Sequence, residues 1–329
     1  MKRIAAAVTL LIISLSIASC GSPSAAMTCG KAEISAREYQ YWLKTSAEYY
    51  LSSLSGASDT PEFWNGEVSD GVSMRDYLLA DVELSIKSIA AALAECDRIG
   101  LKLTDEIYEA IDQDIEDMSE SYGGDAEMNR ELASYGINKE ILRDIYEKQE
   151  KEAALYEYWY GDGGIYLPTD AELDAFYQDN YILIQYISLH YGGDRDKAAS
   201  DQLAETLKVS LEAGADYSVL SDQYNDDDLS AYPDGVYLSK SDRSFDIVAK
   251  AFELGVGETG IITQDSAVYV VKRLPLTEQG YMSDETGQLA DIVELCSETL
   301  YASRLAERYG DVSVNYDVIA KAAAEVFGE

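Results

Sequence analysis

AFELGVGETGIITQDSAVYVVKRL, from Ala251 to Leu274, decides how the second half of this chain folds. It reads as a short apolar helix end, a glycine turn, a strand, a second turn and another strand. Upstream, YILIQYISL (Tyr181–Leu189) is a further strand, in which Ile182 and Ile184 alternate toward Tyr186. Between them, DKAASDQLAETLKVSLEAGADYSVLSDQYNDD (Asp196–Asp227) reads as a helix, a stop at Gly214 and a second helix. This order gives a small mixed sheet packed by helices.

The flanking regions are helical. In KAEISAREYQYWLKTSAEYYLSSL (Lys31–Leu54) a strand-like piece ends at Ile34, and Ser35 is an N-cap with Glu38 as its capping-box partner. Between Ser73 and Gly100, residues Leu78, Val82, Ile86, Ile89, Leu93 and Cys96 form one apolar stripe. A helix starts after Thr104 and closes at Gly123-Gly124, and shorter helices follow near 126–135 and 138–160. Beyond the hairpin, Leu289, Ile292, Cys296 and Leu300 share a helix face, and Asp311–Phe327 closes the chain with a strand and a short helix.

The chain opens MKRIAAAVTLLIISLSIASC: Lys2 and Arg3, an apolar run from Ile4 to Ile17, then small residues before Cys20. That is the pattern of a secretory signal peptide over 1–19. Ile17-Ala18-Ser19-Cys20 resembles the bacterial lipobox, which implies lipidation of Cys20 and a flexible tether over 20–27. Taking Lys2 and Arg3 off the 25 basic residues leaves 23 against 61 acidic ones, a net charge of −38. Such a surface repels nucleic acid and anionic lipid, so membrane attachment falls to the lipid on Cys20. With His190 the one histidine and the cysteines scattered at 20, 29, 96 and 296, neither a zinc site nor a nucleophilic triad is expected. His190 reads as a strand-end or loop residue. Asn225–Asp228 (NDDD) reads as a solvated loop, since it lacks the ligand spacing of a calcium loop.

The cadence CGKAEIS, the aromatic-rich helix, CDRIGLKLTDE, ELASYGINKEILRDI and TDAELDAFYQDNY resembles the PrsA- and SurA-type extracytoplasmic foldases. GADYSVLSDQYNDD, DGVYLSKSDRSFDIVAKAFELGVGETGII and the final hairpin resemble the parvulin-type peptidyl-prolyl isomerase domain of that family. The resemblance implies an α+β protein in which a discontinuous helical chaperone domain, 28–180 completed by the helix and strand of 277–329, carries an inserted parvulin-like α/β domain at 181–276. It implies that the helices bearing Cys96 and Cys296 pack together. It places the two pocket histidines of the isomerases at Tyr186 and Tyr269, the acidic position at Asp227, and the peptide-binding wall at Arg243, Ile247 and Phe252.

Isomerisation needs no cofactor and no metal. It needs a dry proline pocket and a field that favours the twisted amide. With both histidines replaced by tyrosine, the expected activity is that of a lipid-anchored foldase or chaperone on the outer face of the bacterial cytoplasmic membrane. It would bind unfolded secreted polypeptides and retain weak or no isomerase activity. An active isomerase and an envelope lipoprotein with one specific partner stay open as alternatives.

Overall fold

The structure, a computed structural model, describes residues 25–69, 71–192, 195–242 and 247–328. Cys20, the signal peptide and Arg243 lie outside them. The chain divides into two compact units, one formed by residues up to Tyr156 together with those from Leu305 onward, the other by Glu157–Arg304.

The first unit begins with β1 (Ala25–Cys29), β2 (Ala32–Ser35), α1 (Ala36–Ser53) and α2 (Pro61–Trp64). The strands β3 (Glu67–Ser69) and β4 (Val72–Ser73) pair with each other, and α3 (Met74–Ile99), α4 (Asp105–Tyr122), α5 (Asp125–Ser134) and α6 (Lys139–Tyr160) follow. The second unit holds α7 (Asp170–Asn180), β5 (Tyr181–His190), α8 (Lys197–Glu212), α9 (Tyr217–Tyr224) and β6 (Val236–Ser239). It continues through α10 (Val248–Glu253), β7 (Thr259–Thr263), β8 (Ala267–Leu274) and most of α11 (Ile292–Ala306). The chain then returns to the first unit as β9 (Ser313–Val314) and α12 (Tyr316–Phe327).

Local signals start the helices. The Ser35 hydroxyl accepts from the Glu38 amide at 3.2 Å, and the Ser35 amide donates to the Glu38 carboxylate at 2.7 Å, closing the capping box of α1. Lys148 of α6 pairs with the same buried carboxylate and ties α6 to that cap. Tyr39 and Leu43 of α1, Leu78, Val82 and Ile86 of α3, and Val318 and Ile319 of α12 form one core under the sheet β2-β1-β9. Ile111, Ile115, Met128, Leu142 and Ile145 form another among α4, α5 and α6.

Two sequence expectations change. Ala25–Met27 is strand rather than tether: β1 lies between β2 and β9, so Ala26 and Met27 are buried. Residues 277–304 and α7 belong to the second unit, because Leu289 and Ile292 pack with Tyr177 and Tyr181; the return to the first unit starts at Leu305. Cys96 and Cys296 are buried free thiols, one in each unit.

The sheet of the second unit has the order β6-β5-β8-β7, antiparallel throughout. β5 is central and buried on both faces. One face sets Ile187, Leu189, Val268 and Val270 against Ala204, Leu207 and Leu211 of α8. The other sets Ile182, Ile184, Tyr186, Val271 and Ile262 against Ile247, Val248 and Ala251 at the start of α10. This second face carries the candidate site.

Candidate functional site

Strand alternation puts Tyr186, Ser188 and His190 on one side of β5. The strand runs one residue beyond the Leu189 end read from sequence, because His190 still pairs with Ala267 of β8; its amide also donates to Asp226 at 2.7 Å. In β8, Tyr269 stands opposite Ser188. The Tyr186 and Tyr269 rings meet edge to face, with centroids 5.9 Å apart and planes at 61°.

Asp227 is held in place by the two residues before it. The Asn225 carboxamide accepts from the Ser188 amide at 2.8 Å and donates to the Tyr186 carbonyl at 3.0 Å. The Asp226 amide donates to the Ser188 carbonyl at 2.9 Å, and its carboxylate also pairs with Arg195. Asn225 and Asp226 are therefore stitched along β5, while Asp228 stays exposed. The Asp227 carboxylate reaches both the Tyr186 hydroxyl, which donates to it, and His190, whose Nε2 lies 3.1 Å away. Burial first, and then the Asp227 charge, hold the Tyr186 phenol well above the ordinary tyrosine range.

The site thus brings Tyr186, Tyr269 and Asp227 together and adds His190, which the sequence reading left at a strand end. Counting by twos from Tyr186 along β5 finds it. Ile247 is 1% exposed and packs in the same layer as Tyr186. Phe252 packs at its margin, its carbonyl accepting from Arg273 at 3.2 Å. Tyr186 is itself 6% exposed and Val271 is buried, so the floor of this face is filled by side chains. His190 and Asp227 form its open rim, with side chains 52% and 28% exposed. Among the described residues no cluster of His, Cys, Asp and Glu is arranged to hold a metal ion.

The first unit carries a different aromatic feature. Tyr50 meets Tyr49 and Tyr77 edge to face at 5.9 and 6.1 Å, and both outer rings of this row are exposed.

No family model and no curated protein matches the sequence. Among solved structures the chain is similar to PrsA foldases. The foldase protein PrsA of Streptococcus pneumoniae str. Canada MDR_19A is 16% identical with a TM-score of 0.26, covering 80% of this chain and 91% of its own. PrsA of Bacillus subtilis is 16% identical at a TM-score of 0.25, covering 83% and 93%. The peptidylprolyl isomerase (PrsA) of Bacillus cereus is 15% identical at 0.31, covering 80% and 98%. Likenesses of this size assign no residue roles and carry no activity across; those rest on the residues described above.

Proposed function

We propose that the chain is an envelope chaperone of the foldase type, anchored by a lipid on Cys20 to the outer face of the bacterial cytoplasmic membrane. It binds unfolded secreted polypeptides, and its parvulin-like sheet has weak or no isomerase activity. The observation that carries this reading is the filled site face. A proline ring needs an apolar recess, and Tyr186, Ile247 and Val271 occupy the floor on which one would lie. Such a face offers contact without a field tuned to the twisted amide, which is affinity without rate. The exposed ring row Tyr49–Tyr50–Tyr77 supports client binding, since tyrosine grips varied apolar surface at low entropic cost. Among the described residues no helix is long and apolar enough to cross a membrane. The lipobox-like Ile17-Ala18-Ser19-Cys20 supports an anchor at Cys20, and Cys20→Ala should release the chain; membrane retention of that variant removes the anchor from this reading.

One observation favours an active isomerase instead: the His190–Asp227–Tyr186 chain of contacts, which supplies an imidazole, a carboxylate and a phenol at one rim. Refolding of a proline-limited protein, measured beside suppression of its aggregation, separates the two. Suppression without acceleration is expected. Acceleration abolished by Asp227→Ala or Tyr269→Phe would establish a working tyrosine-based site and overturn the proposal.

A further inference from the structure

β6 forms one edge of the sheet in the second unit, with a strand neighbour on one side only. On its other side the side-chain amide of Gln288 lies against the backbone. Its Oε1 accepts from the Tyr237 amide at 2.9 Å, and its Nε2 stands 3.5 Å from the Gly235 carbonyl. A neighbouring strand would offer this edge the same two groups, one acceptor and one donor. Gln288 belongs to no strand. It leaves a turn pinned by Asp284, whose carboxylate accepts from the Thr286 amide at 3.0 Å and the Leu289 amide at 2.6 Å.

A cavity of about 740 Å³ lies beside this edge, within the size range of ligand sites. Tyr232 and Tyr237 give it aromatic wall; Asp234, Asp284 and Glu285 give it negative charge, and among the described residues no basic side chain lines it. Gly235 has φ +120°, and a Cβ there would stand 2.6 Å from the Ile184 carbonyl. The open backbone of β6 therefore begins at a residue that must be glycine and has no side chain to cover it.

We infer that this edge is a docking site for an extended polypeptide segment bearing lysine or arginine, which pairs with β6 in place of Gln288 and lays its cationic side chain in the acidic cavity. The inference rests on the chaperone reading above and specifies one kind of client segment. Backbone pairing suits unfolded clients, because every sequence except proline offers the same amides and carbonyls. The three carboxylates add a preference for positive charge. Gln288 covers the edge while no client is present, which keeps it from pairing with the edge of another copy.

The test uses the intact chain and fluorescein-labelled peptides about nine residues long, alternating valine and threonine around a central lysine. Anisotropy is read for this peptide, for one N-methylated at alternate backbone amides, and for one with glutamate in place of lysine. The lysine peptide should bind, and each altered peptide should bind about tenfold more weakly. Gln288→Ala should tighten the lysine peptide about fivefold, since a competitor for two hydrogen bonds has gone. Equal binding of the N-methylated peptide overturns the edge site, as does unchanged or weaker binding by a folded Gln288→Ala chain. If that variant does not fold, the three peptides still decide the matter on the unaltered chain. Suppressed client aggregation with no peptide binding sinks the edge site and leaves the chaperone reading standing. Peptide binding with these preferences but no suppression does the reverse.

Discussion

Ile187 and Leu189 face α8 across an aliphatic layer, whereas Tyr186 and His190, their neighbours along β5, face a layer that holds phenols, a carboxylate and an imidazole. One strand therefore borders two environments that alternate residue by residue. On the helix side, stability scales mainly with apolar area removed from water. On the site side a buried hydroxyl costs free energy unless it is bonded, and Tyr186 is committed to Asp227. Two aliphatic faces would hold a sheet this small more firmly. The polar face is where the local rules of folding are relaxed, and so where function is to be sought.

The sharpest way to break that comparison is to truncate one residue on each side. Ile187 is fully buried, and Ile187→Ala should cost about 2–5 kcal/mol through lost transfer energy and the cavity left behind. A urea midpoint for the second unit reads this directly. Tyr186→Phe keeps the ring and removes only the hydroxyl. Asp227 remains partly solvated and keeps His190, so no charge is stranded, and the loss should be about 1 kcal/mol. If the two variants cost the same, the faces are not distinct in kind.

Much of the fold is legible in the sequence. The S-x-x-E box at Ser35 and Glu38, the stripe from Leu78 to Cys96, and the alternation through Ile182, Ile184 and Tyr186 are local patterns with periods of their own. The site is legible only in part. Tyr186, Tyr269 and Asp227 come from the resemblance to parvulins, and Tyr186 touches each of the other two. His190 is hidden because its strand membership depends on pairing with Ala267 of β8, far along the chain. Asn225 is hidden for the same reason: its bonds reach Tyr186 and Ser188, and an acidic run with nothing local to pair with reads as solvated loop. Ala25–Met27 looks like a tether, yet it pairs with Ser35 and Ile34 of β2 and, through Met27, with Val314 of β9, almost the whole chain away. Non-local pairing of this kind leaves no period in the sequence.

A titration sharpens the comparison further. Tyrosine in an unfolded chain loses its proton near pH 10. Tyr186 is held above that range, first by burial and then by Asp227. A raised folded pKa stabilises fully below the unfolded value and is lost as pH climbs past it. From pH 10 to 10.5 the share from Tyr186 alone should be under about 0.7 kcal/mol, set by one proton kept in the folded state. Asp227→Asn should bring the Tyr186 transition part of the way down, because burial remains, while phenols with no link to Asp227 should titrate unchanged. Absorbance at the phenolate band, compared between the two chains, reads this. A Tyr186 transition that does not move would mean the carboxylate contributes nothing to the site.

The smallest effect is expected at Ser188, which lies between the two tyrosine-bearing positions and opposite Tyr269. Its hydroxyl is fully buried and has no hydrogen-bond partner among the described residues. Burying such a group unpaired costs free energy, and removing it gives that cost back. Ser188→Ala should therefore leave stability unchanged or raise it by up to about 1 kcal/mol, the reverse of Ile187→Ala one position away. The contrast with Ser200 on the helix side is instructive, since that buried hydroxyl is 3.5 Å from the His190 carbonyl and has a partner to lose. If Ser188→Ala instead destabilises the second unit by more than about 1 kcal/mol, the hydroxyl is satisfied by an ordered water. Tyr186, Ser188 and Tyr269 would then form one connected polar layer, and the filled face would be a prebuilt hydrogen-bond network rather than a closed floor.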